Sequence, residues 1–183
     1  SDFSYELSSD GTGVKITAYE GGATCNIPAE IEGMPVTEIS TTTFYSNTKL
    51  TVVVMPDTIK NIIGDELFYG CYSLTSVKLS SSLTIIPRAM FRYCNSLKSI
   101  EIPPSVTIIE GVAFADSGLT SIDIPDTVTQ FLNDTTNIVG IFQSCVELSE
   151  VHLSNSVKSL SQNIFNGCKN LKSISSYIIF NII

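Results

Sequence analysis

LKSIEIPPSVTIIEGVAFADSG, residues 97–118, decides the fold, because close copies of it recur on both sides. Six phenylalanines keep its spacing: Phe44, Phe68, Phe91, Phe114, Phe142 and Phe165, at intervals of 24, 23, 23, 28 and 23 residues. Six leucines keep it independently: Leu50, Leu74, Leu97, Leu119, Leu148 and Leu171, at intervals of 24, 23, 22, 29 and 23. Both rulers lengthen in the same unit, which places one insertion near residues 130–138. A fixed period of this length marks a repeat architecture.

Each unit opens with a strand signature: LTVVVMP at 50–56, LTSVKLS at 74–80, LKSIEIP at 97–103, LTSIDIP at 119–125 and LSEVHLS at 148–154. The third and fifth residues after Leu are apolar and their neighbours polar, the period of a strand with one buried face. Pro56, Pro103 and Pro125 end the strand, since proline has no N–H for a ladder. Ser80 and Ser154 stand in that place in the other two units. Ile59, Leu83, Val106, Val128 and Val157 begin a second extended piece, and a short helical turn is expected before each Phe. A unit of this size cannot bury its own apolar face, so stacked units form a solenoid with Phe over Phe and Leu over Leu. Leu97, Ile100, Ile102, Val106, Ile109 and Phe114, with their counterparts, are the expected core.

Outside the ladder, FSYEL and VKITAY flank Asp10-Gly11-Thr12-Gly13 and read as a β-hairpin that caps the N-terminal end. A first coil carries Ile27-Pro28, Ile31, Val36, Ile39 and Phe44, with an insertion at Glu32–Pro35. The expected organisation is a cap over 1–26, a solenoid over 27–175, and a C-terminal cap or truncated coil over 176–183, where YIIFNII also offers a route to end-to-end self-association.

Composition narrows the function. The chain has 183 residues, 43% hydrophobic and 15% charged, too apolar for a disordered tail. Its net charge of −8 repels nucleic acid and anionic membranes. No apolar run reaches the roughly 20 residues of a membrane span, so no membrane insertion is expected. The start, Ser1-Asp2-Phe3-Ser4, does not read as a signal peptide.

The unit around Ile102-Pro103, Val106-Thr107, Ile109 and Ala113-Phe114, together with YELSSDGTGVKITAYEG and IPAEIEGMPVTEI in the opening residues, resembles the BspA-like (Treponema-type) leucine-rich repeats over about residues 5–175. The fold class expected is therefore an α/β solenoid: a right-handed leucine-rich-repeat superhelix of about six coils. The resemblance implies a bacterial or protist protein, extracellular or on the cell surface. It further implies an adhesin-like role toward a host or matrix protein, another cell surface or a glycan. The family supplies no catalytic set to transfer. Ser80, Ser154, the long fourth coil and the irregular last coil depart from its pattern.

Cys71, Cys94, Cys145 and Cys168 each lie three residues after a ladder Phe. Their spacing is unlike the paired cysteines of zinc sites. A ladder of thiols packed as small hydrophobes is favoured over the Cys71–Cys94 and Cys145–Cys168 disulfides that stacking would also permit. Cys25 falls outside the ladder.

The outward strand positions carry the functional signal. Ser99, Ser121 and Glu150 form one row; Lys78, Glu101, Asp123 and His152 form another. Two neighbouring carboxylates could serve a retaining glycosidase, and a His with two acids could hold a cation. An open sheet, however, lacks a cleft that excludes water, and the serines leave room for a partner. The expectation is a non-enzymatic face that contacts protein or glycan, with no cofactor and no metal. The alternatives are a structural or self-associating spacer and, behind it, a glycoside hydrolase at Glu101 and Asp123. The fourth-coil loop at Asn133, Asp134 and Thr135 is a second candidate contact.

Overall fold

The computed structural model describes residues 2–132, 139–157, 160 and 163–175. The strands in chain order are β1 (Phe3–Leu7), β2 (Val14–Tyr19), β3 (Thr24–Asn26), β4 (Glu30–Ile31), β5 (Met34–Ser40), β6 (Val52–Val54) and β7 (Asn61–Ile63). They continue as β8 (Ser76–Lys78), β9 (Ile85–Ile86), β10 (Ile108–Ile109), β11 (Ser121–Asp123), β12 (Gln130–Phe131), β13 (Glu150–His152) and β14 (Ser173–Ser175). Among the described residues the one helical element is a 3₁₀ turn at Thr41–Thr43.

These strands make the solenoid that the repeat predicts. On its first side β3, β6 and β8 pair in parallel, and so do β11, β13 and β14. The stretch 98–102 runs between the two groups. On the second side β5 pairs in parallel with β7, and β9, β10 and β12 pair in parallel with one another. The expected second extended piece is this side, and Ile59, Leu83, Val106, Val128 and Val157 begin it buried.

The third side holds the phenylalanines in turns instead of the expected helical turns. In all six units the residue two places after Phe has positive φ: Ser46 (54°), Gly70 (70°), Tyr93 (62°), Asp116 (57°), Ser144 (58°) and Gly167 (80°). In the four units of Phe68, Phe91, Phe114 and Phe142 its N–H and that of the Phe both donate to the next coil, and in the first unit Ser46 N–H donates to Tyr69 C=O at 2.7 Å. Phe91 N–H bonds Ala113 C=O at 2.8 Å, and Tyr93 N–H bonds Ala115 C=O at 3.2 Å. Phe114 and Asp116 repeat the pattern to Ile141 and Gln143 at 3.0 and 2.8 Å. The side without strands is thus hydrogen-bonded between coils as well.

The core is a set of columns. The ladder rings stack at centroid distances of 5.3, 5.3, 5.4, 5.6 and 5.6 Å, within 15° of parallel. The hairpin β1–β2 extends this column, with Tyr19 edge-on to Phe44 at 5.7 Å and Phe3 tilted on Tyr19 at 5.2 Å. The Tyr19 hydroxyl donates to Thr24 C=O at 3.0 Å. β2 also pairs in parallel with β5, so the cap continues the second side. Its turn is held by Asp10, whose carboxylate accepts Thr12 N–H at 2.9 Å and the Ser8 and Thr12 hydroxyls at 2.8 Å. Leu97, Ile102, Val106, Ile109 and Phe114 are buried as expected, while Ile100 is half-buried.

The four ladder cysteines carry free thiols and form a column of their own. Each Sγ donates to the carbonyl of a Phe one coil back: Cys71 to Phe44 at 3.1 Å, Cys94 to Phe68 at 3.1 Å, Cys145 to Phe114 at 2.9 Å and Cys168 to Phe142 at 3.0 Å. Burial pushes the Cys71 and Cys145 thiols up to about 12. Cys25, apart from this column, is the buried central residue of β3, opposite Val53.

The two serines that replace proline are buried, and both bond the preceding coil. Ser80 Oγ donates to Ile59 C=O at 2.6 Å and accepts Ser82 N–H at 3.1 Å. Ser154 Oγ donates to Val128 C=O at 3.2 Å and accepts Ser156 N–H at 2.9 Å. Gln130 and Phe131 belong to the regular second side, so the insertion follows Leu132 and lies outside the described residues.

Candidate recognition face

The first side presents one side chain inward and two outward per strand. In β3, β8, β11 and β13 the middle residue is buried and its neighbours exposed. Parallel register then builds rows. Ser121 stands beside Glu150 and Ser173, and Asp123 beside His152 and Ser175. At the other end Thr24, Val52 and Ser76 share a row, as do Asn26, Val54 and Lys78.

His152 Nδ1 lies 3.0 Å from Asp123 Oδ1, with side chains 61% and 87% exposed. At that exposure the pair adds little to stability. Lys78 lies near Asp57 of the same side; the Ser81 N–H, donating to Asp57 Oδ1 at 3.0 Å, chiefly holds that carboxyl below its usual range, and Lys78 adds a smaller effect. Glu101 has no side-chain partner among the described residues.

The middle of the face is open. Among the described residues, one backbone hydrogen bond joins 98–102 to a neighbouring coil, Thr120 N–H to Lys98 C=O at 2.9 Å. Elsewhere the residue after the strand ties the coils together, as Met55 N–H does to Lys78 C=O and Ile124 N–H to His152 C=O, both at 2.9 Å. Among the described residues neither Leu79 nor Ile102 makes such a bond. A groove of about 380 Å³ lies there, lined by Ser99, Glu101, Ile102, Asp123, Ile124 and Pro125.

The candidate residues Lys78, Ser99, Glu101, Ser121, Asp123, Glu150 and His152 are all exposed on this side, and the structure places Asp123 with His152 and Glu101 with Asp123 at the groove. Thr24 and Asn26 extend the face by one strand that sequence reasoning missed. The first coil lacks the leading Leu, and its inward residue is Cys25. Among the described residues no group of three or more His, Cys, Asp or Glu could hold a metal ion. The loop candidates Asn133, Asp134 and Thr135 and the tail at 176–183 lie outside the described residues.

Against known families, the profile of the BspA type leucine-rich repeat region matches residues 23–139 and 136–178, in six copies. The chain belongs to the BspA-type leucine-rich repeat family. Among solved structures, this BspA-type chain is similar to a leucine-rich repeat protein of T. pallidum, with a TM-score of 0.84 and 32% identity over 94% of this chain and 80% of that one. It is also similar to a leucine-rich repeat protein from Bacteroides ovatus, with a TM-score of 0.83 and 28% identity, covering 95% of this chain and 45% of that one. Comparison with curated proteins gave no significant match. BspA-type repeats serve as interaction modules, and the face described above is where this one offers exposed side chains in register. No helix among the described residues is long and apolar enough to cross a membrane.

Proposed function

We propose that this protein is a non-enzymatic recognition module of the cell surface or the extracellular space, adhesin-like, that binds a host or matrix protein or a glycan through its first side. The observation that carries the reading is the exposed, parallel-registered face. Small serines alternate there with Lys78, Glu101, Asp123, Glu150 and His152 around a central groove. Small residues let a partner approach the backbone, and separated charges fix its orientation more than they add affinity. The hydrolase alternative finds less support: Asp123 is 87% exposed in an open groove, where nothing excludes water from a developing charge.

The test is surface plasmon resonance of the full chain against immobilised matrix proteins and a glycan panel, comparing wild type with the double variant Glu101→Lys, Asp123→Lys. Reversing both charges is expected to weaken a bound partner at least about tenfold, the effect of ~1.4 kcal/mol. Wild-type binding that survives the double variant unchanged removes the face from the account.

A further inference from the structure

A second constellation lies on the opposite flank, beside the phenylalanine turns. The residue after the ladder Phe is Tyr in the first two units, and Tyr45 stacks on Tyr69 at 5.2 Å with 4° between the planes. Tyr93 meets the other side of Tyr69 edge-on at 5.3 Å. Arg92 lies 4.9 Å from the Tyr93 ring centre and pairs with Asp116 at 3.1 Å. Tyr69 and Tyr93 are thereby enclosed in a packed strip, and Tyr45 is its free end. Tyr45 is 48% exposed, and Tyr69 is its one ring neighbour among the described residues.

The space beside it is an open pocket of about 540 Å³ lined by Thr41, Thr42, Tyr45, Asp65 and Glu66. Its polar groups are distinct. Thr42 Oγ1 donates to Thr17 C=O at 3.0 Å and accepts from Ser40 Oγ at 3.0 Å. Thr41 Oγ1 is shielded from solvent and has no hydrogen-bond partner among the described residues. Glu66 is fixed by Arg88 at 3.2 Å, while Asp65 is exposed and has no partner among the described residues. A rigid aromatic ring backed by a second ring, with hydroxyls on one side and carboxylates on the other, suits a ligand with both C–H faces and hydroxyl edges. Axial C–H groups can lie on the ring while hydroxyls donate to the carboxylates. The two acids and the net charge of −8 exclude acidic sugars.

We infer that the Tyr45 pocket is a binding site for a neutral hexopyranose, the end residue or a branch of an uncharged glycan, separate from the recognition face on the first side. The ring of Tyr45 is the platform, Asp65 and Glu66 accept the sugar hydroxyls, and Thr41 and Thr42 line the wall.

The test is saturation-transfer NMR on the full chain with three probes: cellotriose, chitotriose and 3′-sialyllactose. Binding of at least one neutral trisaccharide is expected, with sialyllactose at least about tenfold weaker. Tyr45→Ala is expected to weaken the neutral probe at least about tenfold, Asp65→Asn severalfold, and Tyr45→Phe little. The Glu101→Lys, Asp123→Lys variant is expected to leave this binding unchanged, which separates the site from the first side. The inference is overturned if neither neutral probe binds at millimolar concentration, if sialyllactose binds best, or if Tyr45→Ala binds as wild type does. Equal thermal midpoints for wild type and Tyr45→Ala establish that a lost signal is loss of the site; if Tyr45→Ala proves unfolded, Asp65→Asn decides by the same criterion.

Discussion

Removing one ring from the phenylalanine column should cost an amount set by that ring's place in the stack. Phe91 is fully buried and lies between Phe68 at 5.3 Å and Phe114 at 5.4 Å. Phe165 is half-buried and, among the described residues, stacks on Phe142 alone, at 5.6 Å. Truncating a buried Phe to Ala costs about 3–5 kcal/mol through lost transfer energy and the cavity left behind, and the stacked pairs belong to that total. With two stacked neighbours and full burial, Phe91→Ala should lose about 4 kcal/mol; with one neighbour and partial burial, Phe165→Ala should lose about 2 kcal/mol. At a urea slope of about 2.5 kcal/mol/M the midpoints should fall by about 1.6 M and about 0.8 M. In a solenoid the central loss also weakens the coupling between the flanking coils, so Phe91→Ala should show a shallower transition. Urea titration followed by far-ultraviolet circular dichroism measures both. Equal midpoint shifts, or a larger one for Phe165→Ala, would refute the nearest-neighbour account of this core.

Three further outcomes follow from local geometry. A Cβ at Gly118 would sit 1.9 Å from the Asn95 carbonyl oxygen, so Gly118→Ala must displace backbone and should cost about 3 kcal/mol in the same titration; a loss under about 1 kcal/mol would mean the coils separate easily there. Ser80→Ala should cost about 1–2 kcal/mol by orphaning Ile59 C=O and Ser82 N–H, while Ser121→Ala on the exposed face should stay within about 0.5 kcal/mol; equal losses contradict the assignment. The Thr12 N–H and then the Ser8 and Thr12 hydroxyls hold the Asp10 carboxyl down at about 2. Its folded-state value lies below its unfolded one, so its contribution is present near neutral pH and is lost as pH falls toward about 2. The gap in thermal midpoint between wild type and Asp10→Asn should therefore close between about pH 5 and pH 2, and a gap that stays constant would contradict this.

The side-chain columns were legible in the sequence because burial imposes identity at every repeat. Phe and Leu recur in phase in all six units and the thiol in four, with Asn47 and Ser117 in its place in the other two. The inward and outward rows of the first side were legible for the same reason, down to Asp123 beside His152. Two features were not. The motif at 97–103 is the cleanest copy of the strand signature, yet β8 and β11 leave it almost unpaired. Alternation specifies which way a side chain points, while the spacing between coils is set by neighbours whose lengths differ. Leu119 follows Phe114 by five residues where the other units use six, and that shorter turn brings Gly118 against Asn95. The left-handed residue two places after each Phe was hidden too. Ser46, Tyr93, Asp116 and Ser144 hold the conformation as Gly70 and Gly167 do, so composition gives no sign of it. The Tyr45 pocket escaped notice because it joins residues of two units that no motif connects.

The thiol column has a consequence for the reactivity of its sulfurs. Each ladder proton is already committed to a carbonyl, and burial keeps the Cys71 and Cys145 sulfurs in the thiol form far above neutral pH. Thiolate is the species that oxidants and disulfides react with. The scaffold therefore holds its shape without any covalent bond whose formation depends on the surrounding redox poise. Packing alone thus keeps the Cys71 and Cys145 sulfurs out of thiol–disulfide exchange, with no ionised sulfur at either position to attack or be attacked.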